Sequence, residues 1–280
     1  MTHARASLAS PAPIALLAAL ACAASAAIAA PARLEPWPAG ADTPPAAWHF
    51  AGLPRQSAPQ TKFAVASVDS RRALRVEADS SFGNLVHPLP ADAAKPKHLA
   101  WSWKMEQLNE AGDLRQRSGD DTSLKVCLLF DMSVDKLSFV ERQKLNVARS
   151  LSSEPVPAAT ICYVWDGKLP AGTDIVNAFT TRQRYVVLKS GPAQVGQWLR
   201  ERRDIEADFK RLFGAESAEM PPLAAVAIGA DADNTKGRSV AYVGEIVLEP
   251  CPQRDAFKRR RSAPCARRYS ATRAPRRRPA

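Results

Sequence analysis

The chain has 280 residues, with 39 Lys and Arg against 28 Asp and Glu and a formal net charge of +11, long enough for one large domain or two small ones. The excess is local: residues 252–280 hold 11 of the basic residues and one of the acidic, whereas residues 30–251 hold 27 of each. A neutral body excludes the nucleic-acid binders that neutralise phosphates with a basic face.

Arg5 precedes an almost uncharged run, IALLAALACAASAAIAA. A positive start, an apolar middle and an Ala-x-Ala end spell a secretory signal peptide over residues 1–29, with cleavage expected after Ala29. The run is short and alanine-rich for a membrane anchor, and Ala19, Leu20 and Ala21 before Cys22 lack the Leu that opens a lipobox. No later segment has the length and apolarity of a transmembrane span, so the mature protein is expected to be periplasmic or secreted.

Residues 30–251 read as one domain. The Pro- and Ala-rich lead-in to Pro59 carries Trp37, Trp48 and Phe50 as isolated anchors for packing on the body. Lys62 to Val68 and Ala73 to Ala78 read as short strands, Asp79 to Asn84 as a turn, and Pro88 and Pro90 place the next segment at a sheet edge. Leu99, Trp101, Trp103 and Met105 alternate with smaller or polar residues, the period of a strand with one bulky face. Those indoles suit either a core or a sugar-stacking platform, and the area each buries favours the core.

A second clear strand runs through Leu124, Val126, Leu128 and Phe130, with Asp120 and Asp121 at its entry and Asp131 at its exit. A long excursion over 132–157, with a short helix near Ser138 to Arg149, leads to strands at Thr160 to Trp165, Ile175 to Phe179 and Arg184 to Lys189. Strands at this spacing, nearly without helices between them, predict a mainly β chain, an antiparallel, jelly-roll-like β-sandwich. One amphipathic helix is expected near 192–214, with Val195, Trp198, Leu199, Ile205, Phe209 and Leu212 three or four apart. Arg202 interrupts that apolar stripe and pairs on paper with Glu206 at i+4, or else snorkels or faces a cleft, whereas Arg203 can be solvated.

Two apolar runs, Leu223 to Ile228 and Val240 to Leu248, read as a hairpin around a polar loop. The loop packs Asp231, Asp233, Asn234 and Thr235 into five residues, a density of hard oxygens that suits a calcium-like cation held by Asp231 and Asp233, or the hydroxyls of a polar ligand. Turn chemistry alone also explains such residues. Gly237 falls one place late for an EF-hand loop, no Glu closes it, and Lys236 repels a cation.

Cys127 and Cys162 sit mid-strand, where they either bridge neighbouring strands or pack as small hydrophobes; in an oxidising compartment the bridge is the expectation. Cys251 and Cys265 could close a loop at the root of a basic tail, residues 252–280, whose composition predicts disorder. Phosphate-binding Gly-rich loops, H-E-x-x-H, G-x-S-x-G and C-x-x-C pairs are absent from the sequence.

The chain is similar to a family of exported bacterial proteins catalogued as a domain of unknown function. The resemblance rests on Leu99 to Trp103 (LAWSW), Gly119 to Asp121 (GDD), Leu128 to Asp131 (LLFD), Ile161 to Asp166 (ICYVWD), Arg203 to Phe209 (RDIEADF), Phe213 with Gly214, and Gly229 to Thr235 (GADADNT), and spans roughly residues 46–250. It implies a β-sandwich and carries over no activity or catalytic residue. The functional expectation is a sandwich that binds a polar ligand, such as a saccharide or cell-envelope glycan, through Asp120, Asp121, Asp231, Asp233, Asn234, Arg202 and Arg203. A glycan hydrolase using two of the aspartates and a structural envelope protein without a ligand are the alternatives.

Overall fold

The computed structural model describes residues 32–90, 96–152 and 154–250. The expected signal peptide over 1–29, the expected basic tail over 252–280 and the suggested pairing of Cys251 with Cys265 all fall outside the described residues. In chain order the first strands are β1 (Ala32–Arg33), β2 (His49–Ala51), β3 (Lys62–Val68), β4 (Arg71–Asp79), β5 (Phe82–Pro88), β6 (His98–Gln107) and β7 (Leu124–Phe130). Helix α1 (Phe139–Leu151) follows, then β8 (Ala159–Asp166), β9 (Asp174–Val176), β10 (Gln183–Ser190), β11 (Leu199–Asp204), α2 (Ile205–Phe213), β12 (Leu223–Asp231) and β13 (Arg238–Glu249).

These strands form two sheets. One runs β11-β6-β13-β4-β3 with β1 beside β13, and the other runs β2-β5-β12-β7-β8-β10-β9. Between them lie the inward residues of each alternating strand: Leu99, Trp101, Trp103 and Met105 from β6 meet Leu124, Val126, Leu128 and Phe130 from β7 and Tyr163 and Trp165 from β8. Trp103 is fully buried and Trp101 is 4% exposed, so these indoles are core and offer no stacking platform. Trp37 and Trp48 are buried, as the lead-in anchors predict. Phe209 on α2 packs on Phe130 and Phe213, with centroids 4.9 and 5.6 Å away; each such side chain contributes roughly 1.5–3 kcal/mol by leaving water.

The outer face of the seven-stranded sheet has its own apolar layer. Leu114 and Leu169, from the loops before β7 and after β8, cover Cys127, Cys162, Val164, Tyr185, Val187 and Ala227. Cys127 and Cys162 stand directly opposite on β7 and β8 and are joined by a disulfide, as their mid-strand positions predict.

Three expectations need correction. First, β12 and β13 do not form a hairpin: β12 lies between β5 and β7 in one sheet and β13 between β4 and β6 in the other. The polar connection crosses from sheet to sheet, and its Asp, Asn and Gly residues serve that turn as well as a hairpin. Second, the helix near 192–214 is confined to Ile205–Phe213, while Leu199–Asp204 is an edge strand on β6. Asp204 accepts from the Ala207 amide at 3.0 Å and starts the helix there, because an N-cap carboxylate satisfies an amide that the first turn leaves free. The interruption at Arg202 thus marks a change from period 3.6 to period two. Third, β10 lies parallel to β8, the exception among otherwise antiparallel pairs between the described strands. Helix α1 matches the expected helix in the excursion, capped by the Ser138 hydroxyl.

Candidate functional site

The loop before β7 and the connection from β12 to β13 meet at one end of the sandwich, and their carboxylates interlock. Asp121 accepts from the Asn234 amide and side chain at 3.2 and 3.1 Å on Oδ1, and from the Thr235 amide and hydroxyl at 2.8 and 2.6 Å on Oδ2. One buried carboxylate therefore fixes the turn of the connection. The Asn234 side chain also donates to the Asp120 carbonyl at 3.3 Å.

Asp231 closes the same end from the other side. Its Oδ1 accepts from the Thr122 amide at 2.7 Å and from the Thr122 hydroxyl, and its Oδ2 accepts from Lys125 Nζ at 3.1 Å. Asp231 and Lys125 are each 3% exposed, so the ammonium supplies the positive charge that a cluster of buried carboxylates requires. Gly229, opposite Lys125, makes room for it: a Cβ there would meet Lys125 Cε and Asn84 Oδ1.

Asp120, 5% exposed, accepts from Asn177 Nδ2 at 2.6 Å on Oδ2. Its Oδ1 lies 3.5 Å from the Tyr185 hydroxyl. Burial, and then the negative charge of Asp231, push its carboxyl up to about 6, against the smaller opposing pull of Lys125. Burial and the same neighbour also raise the Asp233 carboxyl; its Oδ1 is buried without a hydrogen-bond partner.

The four aspartates and Asn234 thus gather in one place, but the two arginines do not join them. Arg202 pairs with Glu249 at 2.8 Å, while Glu206 pairs with Lys210. Arg203 grips Asp208 with two bonds of 2.9 and 2.7 Å, and Asp208 also accepts from the Tyr163 hydroxyl and from Arg211. Arg203 stands opposite Leu99 near the start of β6, whereas the acidic loops lie past its end at Gln107, roughly 25 Å away at strand rise. These arginines are strand and helix anchors because their residues form β11 rather than a helix facing the loops.

The donor set does not fit calcium. Oxygens of Asp231 and Asp121 are directed at Thr122, Lys125, Asn234 and Thr235, and a buried ammonium beside them repels a dication. Among the described residues, no group of three or more His, Cys, Asp or Glu side chains is arranged to hold a metal.

Beside this network lies a cleft of about 500 Å³ lined by Glu106, Gln107, Leu108, Asn109, Glu110, Pro192, Val195 and Arg238. Asn109 joins the two features: its side chain donates to the Thr235 hydroxyl at 3.0 Å, and Gly237, where a Cβ would strike the Asn109 amide, lets the connection pass against it. Arg238 donates to Gln107 and Glu77, each at 2.8 Å, and with Arg75 holds the Glu77 carboxyl down at about 2. The turn before β11 forms the other wall, tied to β6 by the Gly196 amide on the Met105 carbonyl at 2.7 Å. None of Glu106, Glu110 and Arg238 carries a local sequence motif. Their one signal is position, at the end of β6 and the start of β13.

A family model described as a protein of unknown function, DUF3047, matches residues 46–247. No curated protein matches. Among solved structures, the glycoside hydrolase domain of Endo-D from Streptococcus pneumoniae is similar at 9% identity and a TM-score of 0.32 over 72% of this chain, which spans 21% of that one. Two cleaved adhesin domains of Lys-gingipain from Porphyromonas gingivalis are similar at 10% identity. One has a TM-score of 0.35 over 79% of this chain and 100% of its own, and the other 0.31 over 74% and 92%.

Proposed function

The chain belongs to the DUF3047 family of proteins of unknown function, and we propose that its sandwich binds a hydroxyl-rich ligand of the saccharide class in the cleft between the end of β6, the start of β13 and the turn before β11. One observation carries this reading. The cleft brings two carboxylates, Glu106 and Glu110, two amides, Gln107 and Asn109, and the Arg238 guanidinium around about 500 Å³. Sugars, which both donate and accept at each hydroxyl, suit a lining of acceptors and donors held in fixed positions. The Asp121 and Lys125–Asp231 interactions serve as the rigid support of that lining, so its side chains need not be ordered anew by each ligand.

Export to the periplasm or beyond belongs to the same reading. It is supported by the signal-like sequence of residues 1–29 and by the Cys127–Cys162 disulfide, a bond that persists in oxidising compartments.

Asp120 favours a second reading, hydrolysis of the same ligand class. A carboxyl held near 6 can remain protonated close to neutrality, as a general acid must. Its oxygens face Asn177 and Tyr185, so the loop before β7 would have to open for it to reach a glycosidic oxygen.

The test is a panel of envelope-derived oligosaccharides titrated against wild type, Glu106→Gln, Glu110→Gln and Arg238→Ala. Saturable binding that weakens at least about tenfold in two of the three variants, each variant losing about 1.4 kcal/mol or more, supports the cleft. Binding unchanged in all three would place the ligand elsewhere. Turnover that survives in these variants but disappears in Asp120→Asn would favour the hydrolase.

A further inference from the structure

A second cleft, of about 350 Å³, lies at the β2 edge of the seven-stranded sheet, between the turn that follows this strand and the end of α1. Its volume falls in the range of small-molecule sites, about 300–1,000 Å³. Phe50, Leu53 and Leu151 give it apolar walls, and its lining holds two charged residues, Arg55 and Glu154. The Phe50 ring is fixed: it lies against Gly83, where a Cβ would strike it, and edge-on to Phe63 with centroids 6.3 Å apart.

One wall is a turn that holds a cation in an unusual place. The Gln56 amide donates to the Leu53 carbonyl at 3.2 Å, and the third residue of the turn so closed is Arg55, with a φ of 54°. Glycine is the residue that adopts this conformation without strain, so the chain places a guanidinium here against its backbone preference. The Gln56 side chain locks the turn, accepting from the Leu53 amide at 2.9 Å and donating to the Ala58, Pro59 and Phe82 carbonyls at 3.0, 3.1 and 2.9 Å. Among the described residues, no carboxylate pairs with Arg55.

The facing wall holds an anion just as firmly. Ser152 ends α1, and its hydroxyl accepts from the Glu154 amide at 3.0 Å. From β2, His49 Nε2 donates to Glu154 Oε2 at 3.0 Å and orients the carboxylate. Arg55 and Glu154 therefore line one cleft from separate elements, each set by its own neighbours and neither spent on the other.

We propose that this cleft binds a short zwitterionic peptide, its terminal carboxylate on Arg55, its terminal ammonium on Glu154 and an apolar side chain against Phe50, Leu53 and Leu151. A guanidinium takes a carboxylate through two parallel hydrogen bonds. A ligand bearing only one of the two charges would leave one lining charge unmatched and meet a like charge at the other. Because the turn and the Glu154 segment are already held, little ordering is left for the ligand to impose.

Calorimetric titration with the dipeptide leucyl-leucine tests this, beside its N-acetylated and C-terminally amidated forms. Wild type is expected to bind the free dipeptide saturably and each blocked form at least about tenfold more weakly. Arg55→Gly removes the guanidinium and suits the turn, so it should leave the thermal midpoint unchanged or raised while weakening the free dipeptide at least about tenfold and leaving the amidated form unaffected. Glu154→Gln, which can still accept from His49, should weaken the free dipeptide similarly and leave the N-acetylated form unaffected. No saturable binding to wild type, blocked forms that bind as well as the free one, or unchanged affinity in both variants would each overturn the proposal.

Discussion

Lys125 donates to Asp231 at 3.1 Å with both residues 3% exposed, and this pair decides how the acidic end of the sandwich is held. Removing one partner leaves the other charged and buried. Lys125→Met is therefore expected to cost about 3–5 kcal/mol, read as a lowered urea midpoint. Adding Asp231→Asn should recover a large part of that loss, because the amide can still accept from Thr122. A single variant with an unchanged midpoint would show that the pair contributes nothing.

Asp120 gives the fold a pH dependence of defined sign. Its pKa in the fold, about 6, is raised above the ordinary 3.8, so its contribution is fully present below about pH 4 and is lost as pH rises through about 6. Two pKa units correspond to about 3 kcal/mol. The stability of Asp120→Asn relative to wild type should improve by about that amount between pH 4 and pH 8, measured by urea denaturation at each pH. A parallel pair of curves would mean that Asp120 titrates normally.

The Cys127–Cys162 bond closes a loop with a sequence separation of 35. Replacing both residues by Ala is expected to cost about 3–4 kcal/mol. Mass spectrometry after alkylation without reductant should find both cysteines unlabelled and linked; labelling of the folded protein at either would contradict the bond.

Arg203 is a scaffold residue. Arg203→Ala leaves Asp208, 3% exposed, with Tyr163 and Arg211 as its remaining partners and should cost about 2–4 kcal/mol, with saccharide affinity unchanged once the protein is folded. A selective loss of affinity at normal stability would return Arg203 to the binding site.

The strands and the disulfide were legible because they depend on local alternation: Trp101 with Trp103, and Cys127 with Cys162, sit at fixed parities of core strands. The gathering of Asp120, Asp121 and Asp231 was legible as acids at strand ends. Lys125 was not, because a lysine in an alternating strand reads as facing water. Here the loop before β7 folds back over that sheet face, bringing Leu114 onto Tyr185 and Val187, a long-range event without a local signature. The cleft was hidden for the same reason: Glu106 and Arg238 are separated by over a hundred residues and meet only because β6 pairs with β13. Arg202 misled because the apolar residues on either side of it fit a helical period that the edge pairing with β6 overrides.

The most direct test of the cleft is amide chemical-shift mapping by NMR during titration with the tightest-binding oligosaccharide of the panel. Saturable shifts are expected at Gln107, Leu108, Asn109, Glu110, Gly196 and Arg238, with residues 139–151 of α1 unmoved. Shifts confined to another surface, or none at concentrations where binding is seen by calorimetry, would contradict a ligand site in this cleft.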